Sequence, residues 1–499
     1  MNSKMMIGWS EIDLTPDCPV FLAGQFAERI SESVETKIFA TSMAVDTGSE
    51  QMVICACDLV AIGEELTLDV RGRIKNSIAD LDPNKVIISA THTHTAMLYA
   101  RRGVSSGATL EVLKTYLPAE KQYVTQVSDK NTDHVMSPDD AYEYIADLIV
   151  KSITEAWNNR KAGYLINAFG RAVVGHCRRV GYDDGTARMW GDSNLANFEA
   201  LEGGNDSGVE LMYVFDDQQQ LTGVVANIAC PAQTVQHRKF ISADYWGKTR
   251  LLLQERFGPD IRLLALCGAA GDQCPVDMIR WVEPKSPVND PNIERSNVVR
   301  RKADPSMFDI EGSWTAGRRV YNEIVNVYET LDKEPPAEEP VFEHVIEWVD
   351  LPVRKVTMTE YREADKLLKE YIRDTNRAFD YNDNAQMHLY AGTIARYQFQ
   401  QTHHLHATEV HVIRLGNFAI ATNPFELFLN YGNQIKARSL AEQTFLIQLA
   451  CGSIGYLPTA KAESGSHYSA YVSSGIIGHQ GGDLLVRTTL DRINNLFQE

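Results

Sequence analysis

The sequence predicts an α/β protein built of mixed β-sheets covered by helices, and three observations carry that expectation. Short β-prone runs alternate with amphipathic helical stretches along most of the chain. The 499 residues, 44% hydrophobic and 23% charged, have the composition of a globular protein able to bury a large core. Residues suited to chemistry recur in loops just after β-prone runs, where ligand sites of α/β sheets gather.

In chain order, "MVICACDLVAI" (52–62) is a continuous apolar run and reads as a buried strand. "TLDVRGRIKNSIADL" (67–81) has helical periodicity, and "KVIISAT" (85–91) is again a strand. The pattern repeats with the helix "DDAYEYIADLIVKSITEAWNN", the strand "LTGVVANIAC", the helix "KTRLLLQERFG" and the strand "IRLLALC". The Gly-Ala-Ala-Gly-Asp that follows (268–272) marks a tight turn where backbone approaches something closely. Two long polar loops, 116–140 and 282–306, have the length of functional covers or disordered segments. The Pro- and Glu-rich stretch 332–343 is the best internal boundary. A charged helix (358–376), a second helix near 384–400 and a strand over 408–422 follow it, and no repeat of 20–50 residues is present.

A net charge of −18, with no long Lys/Arg run, excludes a phosphate-tracking surface and with it nucleic acid as a partner. The N-terminal "MNSKMMIGWSEIDLTP" lacks an apolar signal core, and no window is apolar enough to span a bilayer. A cytoplasmic protein without stable membrane insertion is expected. Eight scattered cysteines without a C-x-x-C suit buried thiols in a reducing compartment.

The chemistry concentrates in four loops. "THTHT" (91–95) follows the strand at 85–90, and residues i and i+2 of an extended chain share a face. His92 and His94 would then stand side by side, either as a metal site or as two histidines of a polar turn. "GDQCP" (271–275), "NPFELF" (423–428) and "GYLPT" (455–459) follow other apolar runs. Taken alone, Glu426 reads as a favourable charge at a helix start, and Tyr456 as a core-edge aromatic. His411 and Arg414, near the histidine-rich "HHLHATEVH" (403–411), are read as packing on a sheet face.

The ordered set "IGWSEIDLTP", "SATHTHT", "ISADYWG", "GAAGDQCP", "NPFEL" and "GYLPT" resembles the neutral/alkaline, non-lysosomal ceramidase family, and looks closer to the shorter bacterial ceramidase-like proteins than to proven ceramidases. The resemblance covers most of 5–495. It implies one catalytic domain over 1–499 with the neutral ceramidase fold, without the family's additional C-terminal immunoglobulin-like domain. It also implies a Zn2+-dependent amidohydrolase acting on a small-molecule, glycan-derived or lipid-derived N-acyl substrate. Residue by residue, His92, Glu426 and Tyr456 match the family's zinc ligands, and His94 matches the histidine that contacts the substrate. Arg178 in "HCRRV" matches its substrate-binding arginine, and Cys274 replaces its essential serine. That thiol is either a reactive group or a small packing residue. The family's second zinc histidine is Pro231 here, which has no side-chain donor. His237 is the chemically sound replacement, and Gln233 the poorer one. Two other readings compete. One is a glycan-active hydrolase or lyase, with Trp190, Tyr245, Trp246, Tyr468 and Tyr471 stacking on sugars; the other is a binding protein that has lost the metal.

Overall fold

Strands β1 (Met6–Asp13), β2 (Phe39–Asp46), β3 (Gln51–Cys57), β4 (Val86–Ala90), β5 (Lys161–Arg171), β6 (Gly208–Asp216), β7 (Leu221–Ile228) and β8 (Arg262–Cys267) form one sheet in the order β8-β7-β6-β5-β1-β2-β3-β4. It is mixed: β3/β4 and β7/β8 are parallel and the other neighbours antiparallel. The structure is a computed structural model that describes residues 5–25, 28–101, 107–121, 132–279, 308–337 and 340–498. The loop 282–306 lies outside those residues, as does part of the loop 116–140.

Further along are β9 (Phe342–Pro352), β10 (Leu405–Leu415), β11 (Phe418–Thr422), β12 (Glu426–Leu427), β13 (Gln443–Ile447) and β14 (Tyr456–Leu457). The second sheet runs β9-β10-β11-β13, with β11 and β13 parallel, and β12 pairs with β14. The principal helices are α1 (Glu64–Ser77), α2 (Pro138–Asn158), α3 (Asp244–Phe257), α4 (Asp309–Thr330), α5 (Met358–Asp374), α6 (Tyr381–Phe399), α7 (Leu429–Arg438) and α8 (His479–Phe497). Ser137 caps α2 ahead of Pro138, and Thr357 with Glu360 closes a capping box on α5.

The apolar pattern stacks these elements in four layers. Along β3, Val53, Cys55 and Cys57 pack against Leu66, Val70 and Ile74 of α1 and Ile145, Ile149 and Ile153 of α2. The alternate residues Met52, Ile54 and Ala56 pack against Ile413, Phe418, Ile420 and Phe445 of the second sheet. Both faces of β3 are thus dry, which is why it reads as one apolar run. Helices α3 and α4 cover the other half of the large sheet through Trp246, Leu253, Val320 and Ile324. Helices α7 and α8 cover the small sheet through Tyr431, Ile435, Leu485 and Leu490. The stretch 332–343 joins α4 to β9, and the core between the sheets draws side chains from both sides of it.

The mixed α/β architecture is as expected, with one local difference. The strand expected over 408–422 is two strands, joined at Gly416-Asn417. Gly416 has φ +62°, a left-handed conformation that glycine adopts without penalty and that a two-residue hairpin turn requires. Among the described residues, no helix is long and apolar enough to cross a membrane.

Candidate metal centre

The loops after the parallel strands meet at one end of the sheets. His92 and His94 follow β4, Gln233 follows β7, Asp272 follows β8, Glu426 follows β11 and Tyr456 follows β13. Glu426 and Tyr456 are register partners in the β12/β14 pair. Arg178 arrives through its backbone: its N–H donates to Asp272 O at 3.0 Å, and Cys177 pairs with Gln273. Gly271 is the close approach expected of its turn, because an added Cβ would lie 2.3 Å from the Glu426 carbonyl oxygen.

His92 and His94 do stand together, but not through strand alternation. The strand ends at Ala90, and His92 has φ +63°, a strained conformation for a residue with a Cβ. The turn sets the two rings edge to face, with centroids 4.8 Å apart and planes at 90°. His92 Nδ1–H donates to Val60 O at 2.5 Å, which leaves Nε2 as the free donor atom. That Nε2 is 3.4 Å from Glu426 Oε2 and 3.4 Å from His94 Nε2. Arg178 Nη1 donates to Gln233 Oε1 at 3.2 Å, so the Gln233 amide nitrogen faces His94 Nε2, 2.7 Å away. Arg178 Nη2 donates to Gly271 O at 2.9 Å and to Tyr456 Oη at 3.2 Å.

Electrostatics sort the protons. Burial opposes ionisation of Glu426, but its neighbours His92, Arg178 and Tyr456 outweigh it and hold the carboxyl below its ordinary range. Burial, followed by the neighbouring His92 ring and the charges of Arg29 and Arg178, keeps His94 well below the usual imidazole range and therefore neutral. Burial and the Glu426 carboxylate hold the Tyr456 phenol well above its usual range, as a neutral hydroxyl.

Two residues singled out in the sequence are placed elsewhere. The ring of His237 stacks on Phe308 with centroids 4.8 Å apart, and its Nε2 lies 3.6 Å from Asp309. The turn after β7 points Gln233 into the cluster and His237 toward the start of α4. Cys274 adjoins the Arg178 charge, but its thiol is packed with Val180, Trp190, Val276 and Met278 and donates to Val276 O at 3.3 Å. Burial pushes that thiol up to about 12, which suits a packing residue rather than a nucleophile. Arg29 carried no signal in the sequence. It is 5% exposed, and its guanidinium donates to His94 O at 2.7 Å and Ala23 O at 2.6 Å, tying the N-terminal segment to the histidine loop.

No family model matches the chain, and no curated protein matches it. Among solved structures, the neutral ceramidase from Pseudomonas aeruginosa aligns with a TM-score of 0.66 at 15% identity, over 99% of this chain and 75% of that one. The chain has the neutral ceramidase fold. A ceramidase complexed with C2 aligns similarly, with a TM-score of 0.64 at 13% identity, 99% of this chain and 75% of that one being covered. At such identities the likeness is one of fold.

Away from the His92–Glu426 pair, the group of three His/Cys/Asp/Glu donors that lie close together among the described residues is Glu409, His411 and Cys451. Its centre is taken by the guanidinium of Arg71. Nη2 lies 2.7 Å from Glu409 Oε1, 3.3 Å from His411 Nε2 and 3.4 Å from Cys451 Sγ. Arginine stays charged at any physiological pH, so the cation here is a side chain. The glycan-active reading loses most of its stacking surface, because Trp190, Tyr245 and Trp246 are all within the core.

Proposed function

We propose that this chain, as a single catalytic domain, is a zinc-dependent hydrolase that cleaves the amide bond of an N-acyl substrate. One observation supports the reading most: two donors from separate loops, His92 Nε2 and Glu426 Oε2, face each other at 3.4 Å while the other ring nitrogen of His92 is committed to Val60 O. A histidine whose far N–H is held by a carbonyl is the usual arrangement of a metal ligand. Two ligands on tetrahedral zinc, with bonds of about 2.0–2.1 Å, stand about 3.3 Å apart. The donors therefore fit the ion, with Tyr456 beside them. Bound there, zinc supplies a Lewis acid for the amide carbonyl and lowers the pKa of water toward about 7.

The chain's own residues supply the rest. Glu426 stays ionised in a buried place, and Tyr456 holds its proton on Oη. Arg178 carries a positive charge 2% exposed, and its Nε–H has no partner among the described residues. That donor is available for a substrate carbonyl or hydroxyl. The ceramidase neighbours make lipid amides the first substrates to try, alongside soluble N-acyl sugars and N-acyl amino compounds. The test is metal analysis of the purified protein, followed by a panel of these amides with and without chelator. Chelator-sensitive amide cleavage is expected; glycoside cleavage alone, or amide cleavage indifferent to chelation, contradicts the reading.

A further inference from the structure

Arg178 and Arg179 are neighbours in sequence and serve opposite sides of the chain. Consecutive residues of an extended segment point to opposite faces. Arg178 reaches Gln233, Gly271 O and Tyr456, whereas Arg179 reaches Glu202 and the loop at 466–469. We propose that Arg179, locked onto Glu202, is a positioning residue for Tyr456, holding the 466–469 loop so that Tyr468 is pressed against the Tyr456 ring. This rests on the hydrolase reading above and deepens it by naming what sets that tyrosine in place.

Arg179 is a clamp with two sides. Its Nε and Nη2 donate to the two Glu202 carboxylate oxygens at 2.8 and 2.9 Å, a two-pronged pair whose side chains are 0% and 7% exposed. On the other side, Nη1 donates to Tyr468 O at 3.0 Å and Nη2 to Ser466 O at 2.8 Å, the carbonyls flanking His467. Met189 N–H adds a third restraint, donating to His467 Nδ1 at 3.1 Å.

The loop needs such holding. Ser466, His467 and Ser469 have φ of +58°, +74° and +70°, three left-handed residues with a Cβ within four positions. Ser466 combines its φ with ψ −154°, a region that essentially only glycine occupies. Backbone of this kind persists only where its surroundings over-determine it. What the strain maintains is the placement of Tyr468. That ring meets Tyr456 edge to face, with centroids 5.5 Å apart and planes at 73°. Tyr456 is in turn tied to Arg178 at 3.2 Å and, as a register partner, to Glu426. A loop that relaxes therefore withdraws the support behind the Tyr456 hydroxyl.

The experiment uses the full chain. Arg179→Lys keeps a positive charge opposite Glu202 but lacks the planar fork that also reaches the loop carbonyls. A second variant adds Ser466→Gly, which removes the conformational penalty at that residue. Hydrogen exchange by mass spectrometry follows the backbone of 460–471, and kcat and KM are measured on an N-octanoyl aminocoumarin amide. In folded Arg179→Lys, faster exchange confined to 460–471 is expected, with KM unchanged. Its kcat should fall about 10- to 100-fold, a misplacement of 1 Å being worth about 100-fold. Adding Ser466→Gly is expected to recover part of that kcat, because the loop then takes up its shape more readily. Wild-type exchange at 460–471 or wild-type kcat in Arg179→Lys overturns the proposal, as does a loss of kcat that Ser466→Gly leaves untouched. Exchange that rises across the whole chain shows a purely structural role and overturns it too. Should Arg179→Lys not fold, Glu202→Gln, which frees the fork from its anchor, is held to the same outcomes. A wild type that cleaves no amide is a different failure: it removes the hydrolase reading, while unchanged exchange at 460–471 in the variant would still overturn the clamp.

Discussion

Replacing Gly271 with alanine asks whether the site depends on two strand-end loops meeting backbone to backbone. The added Cβ would lie 2.3 Å from Glu426 O and 2.7 Å from Glu426 C, where ordinary contact begins near 3.4 Å. The loops must therefore part by about 1 Å. Neither can do so freely, since Gly271 N–H donates to Leu427 O at 2.8 Å and Gly271 O accepts from Arg178 Nη2 at 2.9 Å. The shift acts on Glu426 and Arg178 together. Overpacking of this kind costs about 1–3 kcal/mol, and a displacement of 1 Å in a catalytic array costs about 100-fold in rate. Urea unfolding midpoints measure the first effect, and amide hydrolysis, together with zinc affinity by chelator competition, measures the second. A variant that keeps the wild-type midpoint, zinc affinity and rate refutes the claim that these loops are in forced contact.

Three further outcomes are expected. Glu426→Gln removes an anionic donor from the buried site and should release zinc and abolish hydrolysis; a zinc-replete, active variant would leave Glu426 only its helix-start role, worth about 1 kcal/mol or less. Cys274→Ser should retain zinc and hydrolysis, since a hydroxyl can donate to Val276 O as the thiol does, and mass spectrometry during turnover should find no adduct on Cys274; a kinetically competent adduct contradicts the packing role. For Glu409, burial pushes the carboxyl up, but the hydrogen bonds of His411 and Arg71 outweigh it and hold it at about 2, against an ordinary 4.5. Its stabilising contribution is present above the ordinary value and is lost as pH falls toward 2. Glu409→Gln should accordingly flatten the fall in urea midpoint between pH 5 and 2.5, and an unchanged fall counts against the Arg71-centred cluster.

The parts of the fold that could be read were those with a strong local pattern. Strands β3, β4 and β8 are buried on both faces and announce themselves as apolar runs, and α2 keeps a long apolar stripe. Strand β5, "KAGYLINAFGR", is half-buried along much of its length and has no such run. The β10/β11 hairpin was hidden because its turn consists of two residues inside an otherwise continuous β-prone stretch. At the site, residue types and strand-end positions brought His92, His94, Arg178, Glu426 and Tyr456 forward, and these are the side chains found together. The choice between Gln233 and His237 was not legible, because it depends on which way one turn faces. Arg29 was invisible for a related reason: it acts through backbone carbonyls, which leave no residue-type signature.

Metal analysis of the purified wild-type chain beside His92→Ala tests the central claim most directly, after both proteins are incubated with zinc and desalted. About one zinc per chain is expected in the wild type and a small fraction of that in the variant, with matching circular dichroism. A wild type that emerges free of metal, or a folded His92→Ala protein that retains a full complement, contradicts the account.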